Sequence, residues 1–291
     1  MKDVIERILV PADGSPASES AFAAIMPLVR AYAPEVAVLH VLEDPEASFM
    51  PPAQIAKACG ALRASNVNAY LELREGLPAE EILRVAREKK VDLIAMSTHG
   101  RGGVVRLIVG SVAEQVLRRT EVPLLVTRPG TPVHDWKKIV VALDGSALCE
   151  AVLEDAVQLA RKLGASIELL RIALPTYASA AGEVPVMVPP EDPLPYLKKI
   201  AARLEAEGIK VGIAGPEGRA SDGIVRHLTD THAGLLCMTT HGRGGLARIL
   251  MGSVAEDVLR RSPCPVLLRR SIPAGKAVET SPKKKKGVKI I

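Results

Sequence analysis

The chain reads as two α/β units in tandem, each a doubly wound, five-stranded parallel sheet with helices on both faces. Two observations carry this reading. Short apolar runs alternate with helical patterns along the whole sequence, and the sequence repeats itself: residues 96–128 and 238–270 align without a gap, 142 residues apart, with 20 identities in 33 positions. A match of that length is a duplication. The 291 residues agree with it, since about 100 to 200 residues make a domain. The halves are expected at 1–130 and 136–270, with a Lys-rich tail at 271–291.

In the first half, Ile8–Val10 is a buried strand ending at Asp13-Gly14-Ser15. Ser15 is placed to cap a helix that has Pro16 at its first position, where a missing N–H costs nothing, and Pro27 should kink that helix or end it. Glu35–Leu42 is a second strand, residues 51–64 a helix, and Val67–Arg74 a strand whose polar outer face suits a sheet edge. Pro78–Lys89 has acids at its start, bases at its end and Ile82, Val85 and Ala86 on one face, the pattern of an amphipathic helix. Val91–Met96 is a buried strand, and Val122–Val126 closes the half. Between them Ser111 and Glu114 have the spacing of a capping box, repeated at Ser253 and Glu256.

After a polar linker at 131–135 the order recurs, with a strand at Ile139–Leu143, then Asp144-Gly145-Ser146, then a helix to Gly164. Asp13 and Asp144 are 131 residues apart while the later repeats are 142 apart, so the second half holds 142 − 131 = 11 extra residues. They fall in 174–195, a stretch with five prolines among residues 176–195 that reads either as a mobile flap near a ligand site or as a disordered insertion. The closing strands, Val122–Thr127 and Val266–Arg270, are sheet edges in need of a partner. Their pairing about a pseudo-twofold axis would make the chain an internal dimer, to which a further homodimer is compatible.

The formal charge of +5 is that of the tail, whose six Lys and one Glu give 6 − 1 = +5, so the rest of the chain is neutral. Aromatic residues at 2% offer no stacking platforms, which argues against nucleic acid as a partner. Cys59, Cys149, Cys237 and Cys264 show no CxxC spacing and read as free thiols of a reducing cytoplasm. No apolar run approaches the ~18 to 20 residues that span a bilayer, and the acidic residues among the first seven do not suit a signal peptide. The expectation is a cytoplasmic protein without a membrane partner.

The chemistry concentrates where the fourth strand of each half meets a glycine loop and a helix. Gly100, Gly102 and Gly103 cannot continue a strand, and bare amides beside a helix N-terminus form a site for phosphate. The bland alternative is a tight turn before an ordinary helix, with Asp13 and Asp144 serving only as caps. In doubly wound sheets ligands lie beyond the carboxyl ends of strands, so Asp13 and the glycine loop can share one site. Arg101 and Arg243 lie in the loops, either as phosphate partners or as exposed cations, and His99 and His241 have no partner that would make them bases. No P-loop lysine follows the glycines, which excludes a Walker ATPase, and no general base is in place.

Taken together, these residues resemble the universal stress protein family in its tandem form, over residues 4–128 and 136–270. The family's nucleotide signature is Gly, two residues, Gly, nine residues, Gly, then Ser or Thr. It is met at Gly100, Gly110 and Ser111 and again at Gly242, Gly252 and Ser253. The resemblance implies an adenine nucleotide alpha hydrolase-like fold and binding of ATP or AMP, with or without Mg. It puts adenine and ribose near Asp13, Val41 and Met96, and near Asp144, Ile172 and Met238. It puts the phosphates over Gly100, Gly103, Gly110, Ser111 and Val112, and over Gly242, Gly245, Gly252, Ser253 and Val254. Both copies depart from the signature at its leading glycine, replaced by Ser97 and Thr239. An intrusion of that size costs ~1 to 3 kcal/mol against the ~8 of a micromolar site, so it weakens binding without removing it. The implied function is a stress-response regulator that couples nucleotide to conformation or to regulatory protein partners, with slow ATP hydrolysis at most. The alternative is a nucleotide-free stress module acting by protein–protein contact.

Overall fold

The first half runs β1 (Arg7–Pro11), α1 (Pro16–Ala24), α2 (Met26–Tyr32), β2 (Glu35–Leu42), α3 (Ala53–Ala64), β3 (Ala69–Glu75), α4 (Pro78–Glu88), β4 (Leu93–Ser97), α5 (Ser111–Arg119) and β5 (Leu124–Thr127). The second runs β6 (Lys138–Ala142), a 3-10 turn (Cys149–Val152), α6 (Leu153–Leu163), β7 (Ser166–Leu170), β8 (Thr176–Ala178), β9 (Val186–Val188), α7 (Leu194–Ala206), β10 (Val211–Ala214), α8 (Ala220–Asp230), β11 (Leu235–Thr239), α9 (Ser253–Arg261) and β12 (Val266–Arg269). This is a computed structural model, and it describes residues 4–43, 52–98, 110–132, 134–174, 176–178, 186–188, 190–240 and 251–270.

Within each half the five strands of the main sheet are parallel, and the two five-stranded sheets join into one of ten in the order β10-β7-β6-β11-β12-β5-β4-β1-β2-β3, with β8 and β9 forming a separate pair. The seam is antiparallel: Val126 pairs with Val266, Leu125 with Leu267 and Leu124 with Leu268. Since 267 − 125 = 142, the displacement of the repeat, the pseudo-twofold axis passes between Leu125 and Leu267. The closing strands thus meet as their edge character requires, and the carboxyl ends of the two half-sheets point in opposite directions. At the outer edge β3 carries Glu72, Arg74 and Glu75, which blunt it against further pairing.

Alternation along the strands sorts the core into two layers. Ile8 and Val10 of β1 lie in one hydrophobic cluster with their repeat mates Ile139 and Val141, and α1, α2, α3, α6 and α7 pack there. Leu9 and Val140 belong to the other, covered by α4, α5, α8 and α9. Both layers run across the seam. Polar groups cross it as well: Arg128 Nη2 donates to the Ser262 carbonyl at 2.9 Å, and its repeat mate Arg270 donates through Nη1 to the Arg118 carbonyl at 2.8 Å. Each arginine of one half thereby meets the last carbonyls of the other half's final helix, where a cation offsets the negative end of the dipole.

Three local expectations change. Ser111 and Ser253 do not cap their helices: Gly110 and Gly252 are the N-caps, with no side-chain cap hydrogen bond, and the serines occupy the first helical position. The second half's helix opens as a 3-10 turn, with Ala147 standing where Pro16 presets the first helix. The proline-containing insertion includes an antiparallel pair, Thr176–Ala178 with Val186–Val188, so of the two readings of this stretch a wholly disordered insertion does not hold. Elsewhere Pro27 separates α1 from α2, as proline in a first turn does. Among the described residues no helix is long and apolar enough to cross a membrane.

Leu125 is almost completely buried at the axis. Leu125→Ala is expected to cost about 2 to 5 kcal/mol in urea unfolding followed by circular dichroism, and a loss near zero would contradict a seam that carries the core from one half to the other.

Candidate functional site

In each half the chain leaves β1 or β6 through the same turn. Asp13 Oδ1 accepts from the Ser15 N–H at 2.9 Å and from the Ser15 hydroxyl at 2.7 Å. Ser15 Oγ in turn accepts from the Ser18 N–H at 3.3 Å and caps α1. In the second half Asp144 Oδ1 takes the Ser146 N–H and hydroxyl at 2.9 and 2.7 Å, and Ser146 Oγ accepts from the Cys149 N–H at 3.3 Å. Gly14 and Gly145, at φ +81° and +88°, supply the left-handed backbone between them. The aspartates therefore do not cap the helices. They hold the serines that start them, and both are half-buried.

On the neighbouring strand the chain turns back on itself. The Gly110 N–H donates to the Thr98 carbonyl at 2.7 Å, and the Gly252 N–H to the Thr240 carbonyl at 2.9 Å. A Cβ at Gly110 would stand 3.1 Å from the Thr98 oxygen, and one at Gly252 3.2 Å from that of Thr240, so glycine is what permits this approach. Glu114 N–H closes on the Gly110 carbonyl as the first intrahelical bond, and Glu256 on that of Gly252. Helix geometry gives the N–H groups of Ser111, Val112 and Ala113 no intrahelical acceptor, nor those of Ser253, Val254 and Ala255. Ser111 and Ser253 are exposed there, whereas Val112 and Val254 lean on the core.

β1 lies between β2 and β4, and the connections from β1 and from β4 run to opposite sides, so their carboxyl ends flank the topological switch point. The structure brings Asp13 after β1, Val41 near the end of β2, Met96 near the end of β4 and Gly110, Ser111 and Val112 at the start of α5 to that one end of the half-sheet. Asp144, Ile172, Met238, Gly252, Ser253 and Val254 repeat the arrangement at the opposite end of the molecule. Met96, Met238 and Ile172 are buried. Gly100, Gly103, Gly242, Gly245, Arg101, Arg243, His99 and His241 lie outside the described residues. Ser97 and Thr239 are the buried last residues of their strands. By alternation they share the face of Leu93 and Ala95, or of Leu235 and Cys237, and not the face covered by α5 and α9.

Sequence reading passed over three contributors. The carbonyls of Thr98 and Thr240 receive the glycines, and only their presence in the repeated block hinted at them. Buried His40 donates through Nδ1 to the Ala12 carbonyl at 2.9 Å, fixing the strand end before Asp13. In the second half Arg171 takes that position, since 40 + 131 = 171, and it pairs with Glu191 at 2.7 Å and lies 5.4 Å from the Tyr196 ring centroid. Cys149, beside the Asp144 turn, has its thiol pushed up by burial. Burial also raises Cys237 well above its ordinary value and Cys264 to about 11. Among the described residues no cluster of His, Cys, Asp or Glu has the makings of a metal site.

Fold and geometry define a tandem α/β protein with one candidate strand-end site, a cradle, in each half. It belongs to the universal stress protein family, whose model matches residues 5–128 and again 135–270. A universal stress protein of Methanocaldococcus jannaschii is 31% identical over 143 residues, which cover 44% of this chain and 84% of the relative. One of Mycobacterium tuberculosis is 27% identical over 230 residues, covering 74% of this chain and 72% of the relative. The crystal structure of a universal stress protein from Archaeoglobus fulgidus superposes with a TM-score of 0.70 at 22% identity, over 91% of this chain and 98% of that one, a likeness of fold.

Two outcomes follow from the site's local chemistry. All four cysteines are buried, so at pH 8 the native protein should leave a thiol reagent such as Ellman's unreacted and titrate fully only after unfolding in guanidinium. Asp13→Ala removes the acceptor of two hydrogen bonds and is expected to cost about 1 to 3 kcal/mol, whereas Asp13→Asn, which keeps an oxygen there, should cost less in the same denaturation curve.

Proposed function

We propose that each half binds an adenine nucleotide, ATP or AMP, and that occupancy sets the chain's conformation or its association with regulatory proteins in a cytoplasmic stress response. One observation carries the reading. The Asp–Ser turn and the glycine-to-threonine closure recur in both halves at the switch point, with bond lengths that agree to 0.2 Å or better. Local helix capping explains the serines, but it does not require a glycine pressed on a strand-end carbonyl beside helix amides that lack an intrahelical acceptor.

In this reading the phosphates lie over the amides of Gly110, Ser111 and Val112, and of Gly252, Ser253 and Val254, with Gly100, Gly103, Gly242 and Gly245 completing the cradles. The positive end of the helix favours them, and Mg would serve as their counter-ion. Met96 with Val41, and Met238 with Ile172, offer apolar surface to the base. Asp13 and Asp144 would be repelled by a triphosphate, so they accept from the adenine amino group or a ribose hydroxyl. Ser97 and Thr239 favour the nucleotide-free alternative, yet their direction on the strand takes them away from the face of the cradle helices.

Natively purified protein, when denatured, is expected to release adenine nucleotide detectable by chromatography and mass spectrometry, and calorimetry with Mg-ATP and AMP should show binding to the stripped chain. Gly110→Val should remove binding in the first half and Gly252→Val in the second. No released nucleotide and no heat with either ligand would favour the alternative, in which partners captured by the chain are the same with and without ATP.

A further inference from the structure

Each final helix has its two ends in different hands. The N-terminus of α5 is the candidate cradle of the first half, and its Arg118 carbonyl accepts from Arg270 of the second. The N-terminus of α9 is the cradle of the second half, and the carbonyl of its C-cap, Ser262, accepts from Arg128 of the first. The arginines are themselves tied to the cradles. Arg128 follows Thr127, whose carbonyl accepts from the Thr98 N–H at 2.9 Å, and the Thr98 carbonyl accepts from Gly110 at 2.7 Å. Arg270 follows Arg269, whose carbonyl accepts from the Thr240 N–H at 3.1 Å, and the Thr240 carbonyl accepts from Gly252 at 2.9 Å.

These bonds close a ring: cradle one, α5, Arg270, Thr240, cradle two, α9, Arg128, Thr98 and back to cradle one. Every step has its repeat mate. The one asymmetry is that Arg128 meets the cap residue, whereas Arg270 meets a carbonyl two positions earlier in the repeat, since 118 + 142 = 260 and not 262.

We infer that the two nucleotide sites are coupled through this ring, so that an anion in one cradle raises the affinity of the other. The inference rests on the nucleotide reading given above. An anion at the N-terminus of α5 is stabilised by the helix dipole, and ordering that helix holds its C-terminal carbonyls in place for Arg270. A held Arg270 fixes the end of β12, the Thr240 carbonyl and the glycine of the second cradle, so the second ligand meets a site already ordered. Coupling is reciprocal by linkage, as the symmetry of the ring also demands.

Calorimetric titration of the stripped full chain with Mg-ATP tests this, with Gly110→Val and Gly252→Val as single-site references. The second ligand is expected to bind the unaltered chain about fivefold or more tightly than it binds either single-site variant, the lower end of ordinary allosteric couplings. In Arg128→Ala/Arg270→Ala, both sites should still bind, with affinities equal to those of the single-site variants. If that double variant does not fold, amide exchange at α9 in the Gly252→Val chain replaces it: protection near Ser262 should rise when Mg-ATP fills the first cradle. A two-site isotherm equal to the sum of the single-site isotherms, with no change in exchange across the seam, overturns the coupling while leaving the nucleotide reading intact. Absence of binding in every variant and in the unaltered chain overturns both.

Discussion

Three antiparallel residue pairs, centred on Leu125 and Leu267, decide the shape of this molecule. A parallel sheet of five strands ends in an edge whose N–H and C=O groups are unsatisfied, and duplication produces two such edges in one chain. Pairing them satisfies both, continues the apolar layer of each face across the join, and costs little chain entropy because the halves are already tethered. The twofold symmetry, the single ten-stranded sheet and the crossing arginines all depend on that choice of edge.

The seam also explains why the repeat reads most clearly where it does. The block of 20 identities begins at the end of β4, passes through the cradle and α5, and ends at the arginine after β5. Its members serve two masters: the cradle glycines must approach a carbonyl, and the closing strand and its arginine must fit the other half. By contrast, the outer strands answer only to their own helices, and there the halves diverge, as with His40 against Arg171 or the insertion before α7.

How much of this was legible beforehand follows from which forces are local. Apolar periodicity, Pro16 and Pro27, the capping Ser15 and the polar outer face of Val67–Arg74 are signals carried by neighbouring residues, and the elements formed where they pointed. The serine caps at 111 and 253 failed because a long-range constraint won: contact of Gly110 with the Thr98 carbonyl moves the helix start by one residue. Nothing local marks Arg128 or Arg270 as reaching across to another helix, although both lie within the repeat. For the site, the sequence indicated which strand ends should converge. The Asp13 to Ser15 bond was legible in principle, since an aspartate followed by glycine is the local pattern of a side chain that turns onto the backbone two residues on, but reading the aspartate as a cap or a ligand group passed it over.

The antiparallel join has a further consequence for how such a chain communicates. The carboxyl ends of its two half-sheets face away from each other, so a rigid body pressed against one end of the sheet touches one half and reaches the other only through the seam. Duplication followed by this join therefore yields one surface twice, at opposite poles of a single chain.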